Sequence, residues 1–163
     1  MPTPTEQYRA ALESGDIPAA LSLLTDDVVL RSPLTTRVRF EGKHEAEILL
    51  RVVLRELSDI RFQSDHGDDH TRYLVHTARA GGTPFEETTR VDLTPDGLIR
   101  GLTLSIRPLT GLTAVMAALA GPMAAALGKP RWMAVALTLG SRPLAAMTRL
   151  GDRHLVPLAA PRR

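Results

Sequence analysis

The interval between apolar residues changes partway along the chain, and this change constrains the fold more than any other feature. Up to about residue 58, apolar side chains mostly recur every three or four residues, as they do in amphipathic helices. Between residues 60 and 107 they alternate with polar side chains, which predicts β-strands. Helices followed by consecutive strands indicate an α+β protein, in which the N-terminal helices pack on one face of a curved antiparallel sheet.

Turn and capping residues divide these two regions into elements. Thr3 and Glu6 form a capping-box pattern at the start of a first helix, and Asp16 can cap a second. We expect residues 25–27 to turn the chain into a first strand, and a third helix to cover about residues 44–58. The remaining predicted strands, separated by Gly- and Pro-containing turns, are residues 60–64, 71–79, 85–93 and 98–107.

The chain divides by charge as well as by pattern. Residues 1–108 carry 13 basic and 17 acidic side chains, whereas residues 109–163 carry 7 basic side chains and 1 acidic one. We therefore expect a first domain, residues 1–108, followed by an apolar, basic helical extension, residues 109–163. Gly and Pro at positions 121, 122, 128 and 130 are expected to break the extension into short helices, with Ser141 capping a third.

The extension must pack on some surface, because short helices are not stable alone. The sequence leaves three surfaces open: the pocket mouth of the same chain, a second subunit or an anionic membrane. Residues 108–128 contain no charged side chain and have membrane length, but they are mostly Ala, Gly and Thr with Pro122 among them. We therefore expect packing against protein, with neither a membrane span nor a membrane-surface contact favoured.

Composition excludes several classes of protein. The chain has no cysteine, so disulfides, thiolate nucleophiles and cysteine zinc sites are absent. Aromatic residues make up 4% and the basic residues of the extension are spread out, so we expect no nucleic-acid binding. The first residues lack the pattern of a targeting segment, and we expect a cytoplasmic protein. The polar segment 66–70 contains metal-capable side chains but is interpreted as a solvated turn, so we expect no metal and no cofactor.

Four segments, in this order, carry a family resemblance: residues 8–16, residues 20–30, the pair Ser32 and Pro33, and residues 40–43 before the third helix. Residues 1–108 resemble the nuclear-transport-factor-like superfamily, which includes ketosteroid isomerases and SnoaL-type polyketide cyclases. The resemblance implies a cone-shaped fold with an apolar pocket between sheet and helices, and a homodimer. The superfamily also contains hydrolases and plain binding proteins, so fold alone does not decide function.

The resemblance also places three side chains by analogy with ketosteroid isomerases. Tyr8 corresponds to the tyrosine that hydrogen-bonds the substrate oxyanion. Ser32 holds the place of the general-base aspartate before a proline, and Thr89 lies near the place of the protonated aspartate. A serine hydroxyl cannot take a carbon-bound proton near neutral pH without a base beside it. We therefore expect standard ketosteroid isomerisation to be absent or weak.

The alternation along the predicted strands suggests where an acid–base group lies. Glu87 and Thr89 share a strand face with apolar neighbours, so Glu87 is a candidate carboxylate in an apolar cavity, with a raised pKa. The alternative interpretation puts Glu87 at the solvent-exposed end of its strand or in an ion pair with an arginine. The face that His76 occupies depends on the register of the turn at 81–82, and a structural role is favoured for it. Candidate binding residues on the last strand are Leu102, Leu104 and Ile106.

Together these observations predict a protein that binds an apolar, polyketide-like or polycyclic small molecule. If it is an enzyme, cofactor-independent acid–base isomerisation or cyclisation is the expected chemistry. In that case Tyr8 would polarise an oxygen, Glu87 would carry the proton, and Ser32 and Thr89 would position polar groups. The competing hypothesis is a non-catalytic ligand-binding or protein-interaction module that uses the extension as its partner surface.

Overall fold

Helices and strands follow one another in nearly the order that the apolar spacing predicts. The computed structural model describes residues 2–159 and 161; the rest of the expected extension, residues 160 and 162–163, lies outside the described residues. The elements are α1 (Pro4–Ser14), α2 (Ile17–Ser22), β1 (Leu24–Arg31), β2 (Arg39–Glu41), α3 (Gly42–Glu56), β3 (Leu57–Gly67), β4 (Thr71–Ala80), β5 (Thr83–Leu93), β6 (Ile99–Arg107), α4 (Leu109–Ala126), α5 (Arg131–His154) and a 3₁₀ helix (Val156–Ala159). The α+β class with a C-terminal helical extension is confirmed.

One curved, unclosed sheet contains all six strands, in the order β2-β1-β6-β5-β4-β3. Strands β3 to β6 form an antiparallel meander, and β2 pairs antiparallel with β1. The pairing of β1 with β6 is parallel, with Leu30 opposite Leu102, and so departs from a fully antiparallel sheet. A parallel pair needs a long connection, which α3 and the strands of the meander provide.

The expected helix starts are confirmed at the first two helices. The Thr3 hydroxyl accepts from the Glu6 backbone N–H at 3.2 Å, and the Glu6 carboxylate accepts from the Thr3 N–H at 2.7 Å. Asp16 accepts from the Ala19 N–H at 2.9 Å and caps α2. These bonds satisfy N–H groups that a helix leaves without intrahelical partners.

Several elements differ in extent from the sequence prediction; β3, for example, covers Leu57–Gly67 instead of residues 60–64. Residues 25–27 belong to β1 instead of a turn, β2 was not predicted, and α3 ends two residues early because Leu57 already begins β3. β1 extends through Asp26 and Asp27, whose side chains are exposed, because its buried residues Leu24 and Val28 both pack into the core. Tertiary packing here overrides the weak strand propensity of aspartate.

The main core lies between the helices and one face of the sheet. It is a continuous cluster that includes Tyr8 from α1, Leu50 from α3, and Leu74, Val91 and Leu102 from the central strands. Its largest fully buried side chains are Leu24, Leu74, Ile99 and Leu102. The cluster holds α1 and α3 at a fixed height above the sheet.

Polar contacts also fasten α1 to the edge strand β3. The Thr5 hydroxyl donates to Asp65 Oδ2 at 2.7 Å, and Arg72 on β4 donates to Asp65 Oδ1 at 2.7 Å. Near the other end of α1, the Glu13 carboxylate accepts from the Phe62 backbone N–H at 2.9 Å. Because α1 is tied to β3 at both ends, Tyr8 between them is held facing the core.

The expected break at Gly128 and Pro130 is confirmed, because α4 ends at Ala126 and α5 begins at Arg131. The expected breaks at Gly121 and Pro122 and the separate third helix starting at Ser141 are wrong, since the extension forms two long helices. α4 continues through Gly121 and Pro122, and α5 continues through Pro143. Ser141 is not a cap: its side chain is buried inside α5 and its hydroxyl donates to the Thr138 carbonyl at 3.2 Å. Packing of α5 along α4 supplies the stabilisation that local propensity lacks, and so keeps both helices continuous.

Close approach between backbones explains two glycines of α4. A Cβ at Gly111 would lie 2.4 Å from the Phe85 Cβ, and one at Gly121 would lie 1.9 Å from the Thr138 hydroxyl. The first glycine lets α4 lie on the sheet, and the second lets α5 lie on α4.

A second core cluster lies between α4 and the sheet. Its buried residues are Ala78, Ala80, Phe85, Ala114 and Val115.

Among the described residues, α4 is the one helix long and apolar enough to cross a membrane by length and composition alone. Such helices also occur in the cores of soluble proteins. In this chain α4 contacts α3, α5 and the strands β4, β5 and β6. These contacts bury a third of the residues of α4.

Candidate functional site

A cavity of about 380 Å³ lies between the helices and the sheet. Its walls come from α1, α3, the central strands and α4, and they are mainly leucine, isoleucine and valine side chains. Leu119 and Met123 of α4 are among the lining residues, so the extension forms part of the wall. The exposed Leu34, Val38 and Leu127 also line the cavity, which places its mouth between the loop after β1 and the α4–α5 turn.

Glu87 lies inside this cavity at the middle of β5. Phe85, Glu87, Thr89, Val91 and Leu93 alternate along the strand and are all buried, and Glu87 is only 8% exposed. The alternative placement of Glu87 at the solvent-exposed end of the strand is therefore wrong. Its neighbour Glu86 points the other way and pairs with Arg107 at 3.2 Å.

Burial controls the electrostatics of Glu87. Removal of the carboxylate from water raises the pKa of Glu87 to about 7, because desolvation penalises the charged form. The Thr89 hydroxyl donates a 2.9 Å hydrogen bond to Glu87 Oε1 and opposes part of that rise. A carboxyl group with a pKa near neutrality can both accept and return a proton under cellular conditions.

Tyr8 lines the same cavity from α1 and is 4% exposed. Burial raises the pKa of its phenol well above the ordinary value, and the negative charge of Glu87 raises it further. The hydroxyl therefore stays protonated and is available as a hydrogen-bond donor. That is the state required to polarise a carbonyl oxygen or to stabilise an oxyanion.

His76 is a cavity residue that sequence reasoning did not assign. It lies on β4 directly opposite Glu87 on β5, and its ring centroid is 5.0 Å from that of Phe62. Burial lowers the pKa of His76 to about 4, so the ring is neutral, and its Nδ1 is buried without a hydrogen-bond partner. The two-residue turn at 81–82 fixes this register and was the signal that could have placed the histidine.

The remaining predicted site residues also line the cavity. The Ser32 hydroxyl accepts from the Leu34 backbone N–H at 3.1 Å, which shapes the loop at the mouth. Thr89 faces the interior beside Glu87. The other three, which supply apolar wall on β6, are Leu102, Leu104 and Ile106. Their roles in binding stay predictions.

The polar turn after β3 lies away from the cavity and is exposed. Asp68 accepts from the backbone N–H groups of His70 and Thr71, each at 2.8 Å, and the bond from Thr71 is the main cause that lowers the pKa of Asp68. Its carboxylate is thus used by the turn itself. In the part of the chain that the structure describes, no group of three His, Asp or Glu side chains is arranged to hold a metal.

Comparison with known proteins identifies the fold of this site. Residues 5–102 match the SnoaL-like domain. An uncharacterized protein with a cystatin-like fold from Silicibacter pomeroyi DSS-3 superposes with a TM-score of 0.68 at 21% identity, covering 77% of this chain and 85% of that one. A steroid delta-isomerase from Pseudomonas aeruginosa superposes with a TM-score of 0.65 at 22% identity, covering 77% and 89%.

A third solved structure is the epoxide hydrolase/cyclase-like enzyme SalBIII of pyran ring formation in the polyether salinomycin. It superposes with a TM-score of 0.57 at 15% identity, covering 66% of this chain and 90% of that one. At sequence identities of 15–22%, these superpositions show a shared fold and not a shared activity. No curated protein sequence matches the chain closely enough to count as a relative.

Proposed function

Since the chain belongs to the SnoaL-like domain family, we propose that it binds an apolar small molecule in its cone cavity and acts on it by acid–base isomerisation or cyclisation. The observation that carries this proposal is Glu87, a buried carboxyl group with a pKa of about 7 in a cavity whose walls are mainly apolar. Titratable groups with strongly shifted pKa values in a cavity are common at active sites.

The proposed chemistry is a proton transfer within a bound substrate. Ionised Glu87 removes a proton from a carbon or a hydroxyl group and returns it at another atom, so the enzyme regains its starting state. Tyr8 donates a hydrogen bond to the substrate oxygen on which negative charge develops. The neutral ring of His76 forms part of the cavity wall directly opposite Glu87 and adds no charge beside it. No step of this scheme uses a cofactor.

Size and polarity of the cavity suggest the substrate class. A volume of about 380 Å³ falls within the range of small-molecule sites, and the apolar walls favour a polyketide-like or polycyclic carbon skeleton. The neighbours named as a steroid delta-isomerase and a cyclase-like enzyme support the same class. Standard ketosteroid isomerisation is expected to be weak, since Ser32 and Thr89 replace acidic residues. We also propose that the protein is a cytoplasmic homodimer.

Exchange of substrate protons tests this proposal directly. The experiment incubates the protein in deuterium oxide with a panel of polycyclic and polyketide-like ketones and follows deuterium incorporation next to the carbonyl by NMR. Glu87→Gln should reduce the exchange rate about a hundredfold or more while ligand binding persists. Glu86→Gln is the matched control, because it changes the neighbouring carboxylate on the opposite face of the same strand.

Two outcomes would contradict the enzymatic proposal. Equal exchange by Glu87→Gln and the unaltered protein would remove Glu87 from the chemistry. Tight binding of ketones without any exchange by the unaltered protein would instead identify a non-catalytic ligand-binding module.

A further inference from the structure

Helix α5 has an inner face that is packed and an outer face that is not. On the inner face, Ser141 and Ala145 are buried, and the Thr148 hydroxyl lies 2.7 Å from that of Thr113 on α4. On the outer face, five large apolar side chains are between 56% and 69% exposed: Trp132, Val135, Leu139, Met147 and Leu150. Helical spacing aligns these five residues, here called the outer stripe, along one side of α5.

A row of arginines borders the outer stripe. Arg131, Arg142, Arg149 and Arg153 fall on one flank of the same helix and are all exposed. Among residues 2–159 and 161, no carboxylate lies within ion-pair distance of any of these four. Beyond Pro108 the sequence contains a single acidic residue, Asp152, so this region cannot neutralise its own positive charge.

The sequence alone did not favour a membrane-surface contact, but it could not show that one side of α5 is left exposed. From that exposed side we propose that the outer stripe and its arginine row are a docking surface for an anionic lipid bilayer. Exposed apolar side chains beside arginines, with a tryptophan near one end, are the features of a helix that lies in a membrane interface. The apolar stripe enters the acyl boundary while the arginine heads remain among the lipid phosphates. The cytoplasmic leaflet of a membrane offers both acyl chains and anionic head groups to a cytoplasmic protein.

Charge complementarity favours lipid over a second copy of this chain. Two copies meeting through the outer stripe would each bring the arginine row, and α5 contributes only Asp152 in return. Like charges facing one another across an interface oppose association. An anionic bilayer supplies negative charge along the whole row.

The docking surface also adjoins the mouth of the cavity. Met133 and Leu137 of α5 line the cavity, and Trp132 of the outer stripe is the immediate neighbour of Met133. A bilayer lying against α5 would therefore sit beside the mouth. The docking proposal stands whatever chemistry the cavity performs, since it depends only on the outer surface of α5.

Trp132 is the single tryptophan of the chain, so its fluorescence reports on the outer stripe directly. The full-length protein is mixed with vesicles of phosphatidylcholine alone, or of phosphatidylcholine and phosphatidylglycerol in equal parts. We expect co-sedimentation and a shift of Trp132 emission to shorter wavelength only with the anionic vesicles. The emission should also be quenched by lipids brominated on their acyl chains.

Two pairs of variants separate the apolar and the charged contributions. Leu139→Asp should weaken vesicle binding about tenfold or more, whereas Tyr73→Asp, at another exposed site on the sheet, should not. The double variant Arg142→Gln/Arg149→Gln should weaken it about thirtyfold. Its control, Arg61→Gln/Arg100→Gln, removes the same charge from exposed positions outside α5 and should bind normally.

Three outcomes would overturn the proposal. The first is failure of the unaltered protein to bind anionic vesicles, and the second is equal binding to neutral and anionic ones. The third is short-wavelength Trp132 emission without lipid, together with a dimeric mass that Leu139→Asp reduces to a monomer. That result would identify the outer stripe as an interface between copies. Met147→Asp, at a residue that is 68% exposed, repeats each test if Leu139→Asp is poorly folded.

Discussion

The Thr89 hydroxyl donates a 2.9 Å hydrogen bond to Oε1 of Glu87, two residues earlier on the same face of β5. This bond stabilises the ionised carboxylate, whereas burial in the cavity stabilises the neutral acid. Burial is the larger effect, so the pKa of Glu87 rises to about 7. A single strand thus supplies both the carboxyl group and the hydroxyl that tunes it.

Replacement of Thr89 by valine should move the pKa of Glu87 above 7, because the carboxylate loses its donor while the cavity keeps its shape. The expected result is a shift to higher pH of any activity that requires ionised Glu87. An NMR titration that follows the 13C-labelled side-chain carboxyl groups of the Glu residues measures the pKa of Glu87 without substrate. Thr88→Val, on the opposite face of β5, is the control, and an unchanged titration of Glu87 in Thr89→Val would contradict this account.

The stability of the fold should decrease with pH because of Glu87. Its pKa is about 7 in the folded chain and near the ordinary value of 4.5 when unfolded, so the folded state holds this proton more tightly. The resulting stability is fully present below the unfolded pKa and is lost as pH rises through the folded pKa. The total loss is roughly 3 kcal/mol.

Urea unfolding of the unaltered protein and of Glu87→Gln, at about pH 5 and about pH 8, measures this loss as a difference between two pH profiles. His76 acts in the opposite direction, since its pKa is lowered from 6.5 to about 4 and its stability contribution is lost as pH falls through that range. Both proteins contain His76, so its contribution cancels when one pH profile of the unfolding free energy is subtracted from the other. Parallel profiles for the two proteins would show that Glu87 is not buried as an acid.

Substitution of Ser32 by aspartate should raise isomerisation of a β,γ-unsaturated ketosteroid by about a hundredfold, because it adds a general base at the mouth of the cavity. The aspartate can also keep the bond that Ser32 accepts from the Leu34 N–H. Ultraviolet absorbance of the conjugated product measures the rate. Ser32→Asn, which matches the shape without the base, should remain at the level of the unaltered protein. Strong isomerisation by the unaltered protein would contradict the expectation.

Packing of α5 on α4 should depend on the missing side chain at Gly121. A Cβ there would lie 1.9 Å from the Thr138 hydroxyl and 2.9 Å from the Ala134 carbonyl, so Gly121→Val should destabilise the fold by about 1–3 kcal/mol. Gly140 in α5 has open space at its Cβ, so Gly140→Ala should instead stabilise it by about 0.5–1 kcal/mol. Thermal unfolding followed by circular dichroism compares the two variants. Equal unfolding midpoints for them would contradict the close packing of α5 on α4 at Gly121.

Local pattern was enough to predict the helical and strand regions and the composition of one strand face. The alternation along β5 placed Glu87 and Thr89 on the face with Phe85, Val91 and Leu93, since successive side chains of a strand point in opposite directions. Capping residues likewise predicted the starts of α1 and α2, because the bonds of Thr3 and Asp16 form within one helical turn. Both signals act between residues close in sequence.

Contacts between distant residues decided what the local pattern could not. The placement of His76 opposite Glu87 depends on the strand register, and the parallel pairing of β1 with β6 joins strands far apart in the chain. The continuity of α4 and α5 through their glycines and prolines depends on each helix packing on the other. The sequence alone determined which residues are apolar and how they are spaced; the tertiary structure decided which of those surfaces bury one another. Burial is a property of contacts between elements, so the pKa of Glu87 and the exposure of the outer stripe emerge only when the chain is folded.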